Sequence, residues 1–577
     1  MFSAFWVEHR LWGDYTLGYH LVNVVFHTVS CCLFAVLLRR LWGPARARAT
    51  AGVPLGAEWF AAALFAVHPI CVESVAWITE QKNTLSLVFY LLAALVYLDF
   101  AEKRQVRSYV FASLLFLGAL GSKTVTVTLP VALLIVLAWK QGGLRWRRDV
   151  GPLLPWFLLS LASGLLTSWI ERHVLGADVV VFDLTIVQRA LLAGRVFWFY
   201  LGQLAWPADL YFFYPKWDVA GAAAGWAGYL LAAVAVTAGL WAGRQRWPGA
   251  LAAWLVFGAG LFPILGFFKV FFFGFTYVND HFQYLPSLSL LAAAAGGGAL
   301  LLAKAPRGLR LAGLALGGLG LGVLAVASHR QSALYRDNET LARSVLARNP
   351  ASWIARQILA TTLAKDPGRH AEALAEFKEV VRLNPDYPDG HVGLGVELGR
   401  LPGHRDEAIA AYERAIAIRP EIPEAQYNLG LILSSMPGRA AEAVAHYEAA
   451  LRTRPNHPET HANLADLLAK SPERVPEAVA HYLEALRLRP GFVAVHCRLA
   501  YLLSRQPGKQ DEALAHYAEA LRLDPDYIDA HNGLAIAYVM MGRPADARRE
   551  WETVLRLDPK QESVRRNLRR LDEMEGR

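Results

Sequence analysis

The sequence predicts an all-α chain in which a polytopic bundle of transmembrane helices precedes a solenoid of short helical repeats. Two observations lead to this fold class. Up to about Ala327, apolar stretches alternate with short basic loops, and the whole chain is 55% hydrophobic with a mean hydropathy of +0.27. Beyond His329 the sequence is polar and charged, with short helical periodicity. We therefore expect a membrane domain at 1–328, a linker with a first repeat helix at 329–350, six repeats at 351–559 and a polar capping helix at 560–577.

Eleven apolar stretches in the first half are candidate membrane spans. They are 18–38, 58–67, 84–100, 108–121, 124–139, 152–170, 190–206, 222–242, 249–268, 284–303 and 311–328. A helix needs about 20 residues to cross the hydrocarbon core of a bilayer. The stretch 58–67 must therefore extend into its flanks or stop part-way.

Clusters of Lys and Arg follow the first, third, fifth, eighth and tenth stretches. Because basic loops stay on the cytoplasmic side, residues 1–17, 68–83, 269–283 and everything after 328 are expected outside. Under this topology 190–206 cannot be a simple crossing: it is re-entrant or pairs with a second embedded segment. The net charge of +9 is explained by these loops, and no basic stripe with interleaved aromatics indicates nucleic-acid binding. The expected location is a bacterial inner membrane, with the repeats extracytoplasmic.

Polar side chains at membrane depth are the first candidates for a functional site. His20, Asn23 and His27 stand at i, i+3 and i+7, on one face of the first long span. Such residues either form hydrogen bonds between helices of the bundle or contact a substrate or metal. The pattern leaves both alternatives open.

A second polar cluster runs from His68 to Asn83. Pro69 ends the short apolar helix, and Glu73, Trp77 and Glu80 follow with helical spacing. This spacing predicts an interfacial helix that carries carboxylates and Lys82 over the mouth of the bundle. An ordinary amphipathic surface helix is the alternative.

The third cluster, Asn279-Asp280-His281-Phe282-Gln283-Tyr284, directly precedes a span. It is either a solvated loop or part of a site. Lys123 lies between two closely spaced spans, where it either holds a lipid phosphate or extends to lipid headgroups.

The second half contains a repeat of nearly constant length. Prolines recur at 350, 385, 420, 455, 490, 525 and 559, so that five intervals of 35 residues follow the first proline and a last interval of 34 ends the series. Small residues recur after Leu at Ala360, Gly395, Gly430, Ala465, Ala500 and Ala535. This pattern indicates tetratricopeptide (TPR) repeats, whose period is 34.

A TPR solenoid forms a concave groove that suits an extended peptide. Asn428 and Asn463 are expected on its inner face, and Arg498 occupies the corresponding place in another repeat. We expect acceptor or partner proteins to bind along these residues.

The order of the motifs resembles one family, the transmembrane and tetratricopeptide-repeat O-mannosyltransferase-like proteins of the GT-C glycosyltransferase superfamily. The motifs are Leu11-Trp12-Gly13, Gly18-Tyr19-His20-Leu21-Val22-Asn23, His68-Pro69 with Glu73 and Lys82-Asn83, Ser122-Lys123, Tyr214-Pro215, and Asp280-His281 with Tyr284-Leu285-Pro286-Ser287. The resemblance implies a GT-C-like bundle that transfers a sugar, expected to be mannose, from a polyprenyl-phosphate donor to a protein hydroxyl on the outer face.

The resemblance also suggests roles for individual residues. Glu73, Asp280 and His281 are the expected catalytic residues, and Lys82 and Lys123 the expected ligands of the donor phosphate. The expected site-lining residues are His20, Asn23, His27, His68, Asn83 and Tyr284. A divalent metal is left open, because no ligand set is readable.

Two departures from the family pattern put activity in question. The chain starts within the end of the first outer loop, as if truncated at the N-terminus, and so lacks the acidic residue expected there. In the second outer motif, Gln81-Lys82-Asn83 replaces a basic–basic–acidic group. The alternative to an enzyme is a catalytically degenerate, membrane-anchored TPR scaffold. A secondary transporter is disfavoured because the spans show no internal repeat.

Overall fold

The computed structural model describes residues 2–43, 53–173, 184–268 and 270–574. Within them every regular element is helical, which confirms the all-α prediction. The chain forms two compact units, Met1–Leu359 and Ala360–Arg577.

The first unit contains long helices joined by short helical turns. Its α-helices are Phe2–Trp12, Thr16–Trp42, Ala57–Val67, Val72–Ala76, Gln81–Lys103, Val106–Ser122, Leu129–Gln141, Leu154–His173, Ile186–Ala205, Val219–Ala242, Pro248–Leu261, Ser287–Ala303, Arg307–Ala333 and Asn338–Leu346. Shorter 3₁₀ turns are Pro69–Cys71, Ile78–Glu80, Thr124–Thr128, Gly151–Leu153, Phe262–Ile264, Phe271–Gly274 and Asp280–Gln283. Trp146–Val150 is a short π-helix.

Six stretches of the described chain are helical, long and apolar enough to cross a membrane, which makes this a multi-pass membrane protein. They are Thr16–Trp42, Ile78–Lys103, Thr124–Gln141, Trp146–Glu171, Gly225–Ala242 and Arg307–Ala333. Three further predicted stretches form shorter apolar helices, Val106–Ser122, Pro248–Ile264 and Ser287–Ala303. The short stretch predicted at 58–67 is Ala57–Val67, which meets Pro69–Ala76 at an angle of 56°.

The segment predicted at 190–206 forms the helix Ile186–Ala205, which packs against Val219–Ala242. A Cβ atom on Gly194 would lie 2.8 Å from the backbone nitrogen of Leu230, so the glycine permits this close approach.

Large buried side chains hold the first unit together. The main cluster packs Phe34, Phe65, Tyr97 and Trp156 among aliphatic residues of several helices, and the Phe116 ring stacks on Trp156 at 4.5 Å. A second cluster surrounds Tyr200, Phe257 and Phe273. Contacts of this density fix the backbone turns that carry the polar residues described below.

From Trp353 to Leu557 the helices alternate in six pairs, and the helix Glu562–Met574 follows them. They are Trp353–Leu363, His370–Leu383, Pro388–Gly399, Arg405–Ile418, Pro423–Ser434, Ala440–Thr453, Pro458–Leu468, Val475–Leu488, Val493–Ser504, Gln510–Leu523, Ile528–Met540 and Pro544–Leu557. This succession is the predicted TPR solenoid.

The recurrent small residue lies where the two helices of a repeat touch. A Cβ atom on Gly430 would come within 2.9 Å of the Tyr447 ring, and one on Gly395 within 2.8 Å of the Tyr412 ring. The ring of the second helix therefore occupies the space that a larger side chain on the first would need.

Candidate active site

A carboxylate–histidine pair lies at the centre of the candidate site. Glu73 Oε1 is 2.8 Å from His281 Nδ1, and Glu73 Oε2 accepts a hydrogen bond of 3.0 Å from the His281 backbone N–H. Both side chains are buried, with Glu73 only 1% exposed. The two contacts fix the plane of the carboxylate and the orientation of the imidazole ring.

A helix end and a turn in the local backbone place Glu73 at this position. Pro69 stops the helix Ala57–Val67, the Pro69–Cys71 turn changes direction, and Glu73 then lies in the five-residue helix Val72–Ala76. The expected exposed interfacial helix from His68 to Asn83 is not formed. Instead the segment breaks again at Trp77, and Glu73 and Glu80 point into the protein because neighbouring elements cover them.

Asp280 lies in the turn Asp280–Gln283, next to His281, and is 2% exposed. The Tyr214 hydroxyl donates a hydrogen bond of 2.7 Å to Asp280 Oδ1, and Asn279 Oδ1 accepts from the Asp280 backbone N–H at 3.1 Å. Burial, reinforced by the negative charge of Glu73, raises the pKa of the Asp280 carboxyl well above its ordinary value. Of the two alternatives for this cluster, the burial of Asp280 and His281 is inconsistent with a solvated loop.

A second buried carboxylate, Glu80, contacts both lysines. Glu80 Oε1 is 2.7 Å from Lys82 Nζ, and Glu80 Oε2 is 3.1 Å from Lys123 Nζ. The Glu80 side chain is 0% exposed, whereas Lys82 is 35% and Lys123 17% exposed. The two ammonium groups expected to hold a phosphate thus belong to one cluster, with edges that reach solvent.

Asn83 joins this cluster to the histidine. Its side-chain Nδ2 lies 2.8 Å from Glu80 Oε2, 3.0 Å from Ser74 Oγ and 3.3 Å from the His281 carbonyl oxygen. The Asn83 side chain therefore links the Glu80–lysine cluster to the backbone of His281 and to the short helix that carries Ser74 and Glu73.

The remaining predicted lining residues lie around this core. Asn23 accepts a hydrogen bond of 2.7 Å from Thr84, and His27 Nδ1 is 2.7 Å from the Tyr284 hydroxyl. His68 Nε2 is 3.0 Å from the Leu204 carbonyl oxygen. His20 is half-buried on the same helix as Asn23 and His27. For Asn23, His27 and Tyr284 these contacts join helices, which favours the interhelical alternative.

Sequence reasoning did not assign a role to two residues of this site. Glu80 was predicted only as one of the carboxylates of an interfacial helix over the mouth of the bundle, without a role of its own. Glu8, on the helix Phe2–Trp12, is buried and accepts a hydrogen bond from Gln81. Burial raises the pKa of Glu8.

The predicted peptide-groove residues lie in the second unit. Asn428 lines a small pocket together with Tyr427 and His457. Asn463 Nδ2 approaches the Tyr427 hydroxyl at 3.4 Å, so consecutive repeats share this surface. Arg498 is exposed and forms an ion pair of 2.5 Å with Asp466. Their role in binding peptide stays a prediction.

Within the described residues, no group of three or more His, Cys, Asp or Glu side chains is arranged to hold a metal ion.

Comparison with known proteins reveals two kinds of similarity. Residues 4–169 match the dolichyl-phosphate-mannose-protein mannosyltransferase family. Residues 403–436 and 503–542 match one description of the TPR repeat, and residues 327–388 and 438–491 match another.

The curated relatives are similar over short segments. Protein O-mannosyl-transferase F38B6.6 of Caenorhabditis elegans is 31% identical over 132 residues, which cover 23% of this chain and 18% of that protein. Protein O-mannosyl-transferase Tmtc1 of Drosophila melanogaster is 36% identical over 22% of this chain and 13% of its own. Human Protein O-mannosyl-transferase TMTC4 is 36% identical over 19% of this chain and 16% of that protein. The matches thus span less than a fifth of these relatives.

Among solved structures, similar proteins include YrrB, a TPR protein with an unusual peptide-binding site (19% identity, 33% of this chain, 97% of that chain, TM-score 0.31). TTC0263, a thermophilic TPR protein of Thermus thermophilus, is another (24% identity, 32% of this chain, 98% of that chain, TM-score 0.26). Residues 4–169 are therefore similar to the dolichyl-phosphate-mannose-protein mannosyltransferase family, and matches to tetratricopeptide repeats follow in the second half of the chain.

Proposed function

We propose that this protein is a membrane glycosyltransferase that moves a sugar, mannose, from a polyprenyl-phosphate donor to Ser or Thr of a protein on the extracytoplasmic face of a bacterial inner membrane. The observation that carries the proposal is the Glu73–His281 pair beside the Lys82–Lys123 cluster. One set of side chains suits proton removal and the other suits a phosphate leaving group.

The Glu73–His281 pair has the arrangement of an oriented general base. With Nδ1 of His281 bound to Glu73, the other ring nitrogen, Nε2, is the one that can accept a proton. In an inverting transfer the acceptor hydroxyl gives this proton to the base as its oxygen attacks the anomeric carbon. The bond from that carbon to the donor phosphate breaks, and its electron pair leaves with the phosphate. A positioned base of this kind contributes about 10²–10⁴-fold in rate.

The lysines supply the complementary charge. When the sugar–phosphate bond breaks, negative charge develops on the phosphate oxygens, and ammonium groups already in place stabilise it. Lys82 and Lys123 are partly exposed, so that a phosphate group can reach them. The polyprenyl chain would lie in the bilayer beside the first unit.

In this proposal the repeats bind acceptor or partner proteins. A TPR solenoid presents a concave surface suited to extended peptide. Asn428 and Asn463 line neighbouring parts of one surface, which supports this role.

The test replaces Glu73 by Gln in the chromosome of the native host. Glu73→Gln keeps the shape of the side chain and removes the charge that orients His281. We expect Ser- and Thr-linked hexose to disappear from the acceptor proteins, as read by mass spectrometry of membrane and secreted glycopeptides. The matched control is Glu102→Gln near the far end of the Gln81–Lys103 helix, where the carboxylate is 64% exposed and contacts Arg40.

Unchanged glycan occupancy in the Glu73→Gln strain, at equal abundance of the protein, would remove Glu73 from the site. If deletion of the whole gene also leaves every hexose-bearing peptide in place, the membrane-anchored TPR scaffold becomes the better account.

A further inference from the structure

Glu80 occupies a position that neither the transfer chemistry nor the lysines by themselves explain. It is a fully buried carboxylate with two ammonium groups on it, at 2.7 Å and 3.1 Å. A phosphate ligand competes with this carboxylate for Lys82 and Lys123, so a site built only for anion affinity would leave it out. Its presence needs a physical reason.

We propose that Glu80 is a positioning residue, which holds the Lys82 and Lys123 ammonium groups in place and directed toward the phosphate group of the lipid-linked donor. This inference rests on the proposed function and names the residue that organises its phosphate site. The cluster carries a net charge of +1 when both lysines are protonated, and its exposed edge belongs to the lysines.

Burial of an ammonium group costs free energy because the charged form loses its hydration. Lys123 is the more buried of the two lysines, and burial lowers the pKa of its ammonium group. Glu80 opposes this effect by its charge and by a direct contact, and the more distant Glu73 also opposes it, while Lys82 adds to the lowering. Without Glu80, Lys123 loses the carboxylate that contacts its ammonium group.

Glu80 also contacts the residue that joins the lysines to the carboxylate–histidine pair. Glu80 Oε2 contacts both Lys123 and the Asn83 side chain, and Asn83 in turn approaches the His281 carbonyl oxygen. Ser74, in the same short helix as Glu73, is a third partner of Asn83. Glu80 thus sets the position of the lysines relative to the Glu73–His281 pair. A rigid relation between base and phosphate site is what a transfer reaction requires.

The experiment measures binding of a polyprenyl phosphate to the purified full chain in detergent from about pH 6 to about pH 9, well below the ordinary Lys pKa of about 10.4. The quantity compared is the ratio of Kd between variant and wild type, which cancels titration of the ligand itself. For Glu80→Gln we expect binding at least as tight as wild type at the acid end, because a repelling carboxylate is gone. Toward the alkaline end we expect a loss of about tenfold or more, as Lys123 deprotonates and its charge-assisted contact is lost.

Two further variants keep the proposal falsifiable. In Glu80→Gln/Lys123→Arg the loss at alkaline pH should vanish, because a guanidinium stays protonated throughout this range. Glu80→Asp retains the negative charge, so the ratio of its Kd to the Kd of wild type should not change with pH. Glu102→Gln serves as the matched control, and thermal unfolding of every sample reports on folding.

A Kd of Glu80→Gln that equals the Kd of wild type at every pH would overturn the proposal. So would an equal loss at every pH that Lys123→Arg fails to restore, because that result indicates a purely structural role. Inorganic phosphate is the second probe: binding of inorganic phosphate with no binding of polyprenyl phosphate would overturn the lipid-linked assignment. Failure of sugar transfer in a protein that shows the expected binding profile would contradict the proposed function and leave the role of Glu80 intact.

Discussion

At the scale of single residues, Asp280 lies in surroundings that favour its neutral form. It is buried, it lies near Glu73, and its carboxyl pKa is raised, first by desolvation and then by that neighbouring charge. When the pKa of a carboxyl group is higher in the folded than in the unfolded chain, the folded chain holds the proton more tightly. The free energy of unfolding therefore falls as the pH rises. The contribution is fully present at low pH and is lost as the pH rises above the unfolded value of about 3.9 toward the raised folded value.

Replacing Asp280 by Asn tests this protonation state. Asn keeps the oxygen that accepts from Tyr214 and cannot ionise. We expect Asp280→Asn to unfold at a temperature equal to or above that of wild type at neutral pH, with the largest difference at the alkaline end. Tyr214→Phe, which removes only the hydroxyl donor, is the control for the hydrogen bond. A lower unfolding temperature for Asp280→Asn at every pH would mean that the native state needs the ionised carboxylate.

The same residues show what the sequence could and could not predict about the site. Glu73, Asp280 and His281 were identified from motif order, and the structure brings them together. The contact between Glu73 and His281 spans 208 positions, which no local spacing predicts. Glu80 received no role of its own because helical spacing predicted one interfacial helix over the mouth of the bundle, whereas tertiary packing breaks this helix and buries the Glu80 side chain completely.

At the scale of elements, the helices and the repeat were readable because periodicity and proline spacing act locally. The break after Val67 was also readable from Pro69, but the following 3₁₀ turns were not. Such turns depend on packing by distant segments, here the turn Asp280–Gln283, which contacts Pro69–Cys71 and Val72–Ala76.

The repeats contain matched pairs of polar rings at equivalent positions. His461 Nδ1 is 2.9 Å from His481 Nδ1, and His496 Nδ1 is 3.0 Å from His516 Nδ1. His461 Nε2 lies 2.9 Å from the Pro455 carbonyl oxygen and donates to it, so in its neutral form Nδ1 accepts. A pair with two protonated rings would place two N–H groups against each other.

This geometry makes the repeat unit acid-sensitive. Burial, then the charge of the facing histidine, lowers the pKa of His481 and of His516. Because these folded-state pKa values lie below the unfolded value of about 6.5, the free energy of unfolding is largest above that pH. It falls as the pH is lowered through the folded values. Glu477, Glu448 and Arg474 around His481, and Glu512 and Glu519 around His516, modulate the effect.

The chain itself offers the control substitution. In the preceding repeat Gln426 donates to the Pro420 carbonyl at 3.0 Å and contacts His446 Nδ1 at 2.6 Å, which reproduces both contacts without a second imidazole. We expect His461→Gln/His496→Gln in the fragment 360–577 to lose less unfolding temperature than the unchanged fragment between about pH 7.5 and about pH 5, on either side of the ordinary His pKa. Circular dichroism would follow the transition. An equal loss in both fragments would contradict the role of the histidine pairs.

At the scale of the whole molecule, the two units differ in composition and in the side chains that they bring together. The first supplies apolar helices, a buried carboxylate–histidine pair and a lysine cluster. The second supplies a repeat surface of the kind that binds extended peptide. Composition alone predicted an apolar part followed by a repeat part, because apolar stretches and charged repeats occupy different halves of the sequence. Donor, acceptor and sidedness depend on chemistry that no periodicity encodes.

The most direct test of the account is donor-dependent sugar transfer on a defined side of the membrane. Sealed right-side-out vesicles from cells that overproduce the protein would receive polyprenyl-phosphate mannose carrying isotope-labelled sugar, together with a membrane-impermeant Ser/Thr-rich peptide. We predict labelled hexose on the peptide without permeabilisation, detected by intact-mass spectrometry, and none with Glu73→Gln vesicles. Labelled peptide only after permeabilisation would contradict the outer-face assignment. No labelled peptide before or after permeabilisation, in vesicles that bind the donor, would contradict the claim that the protein is a transferase.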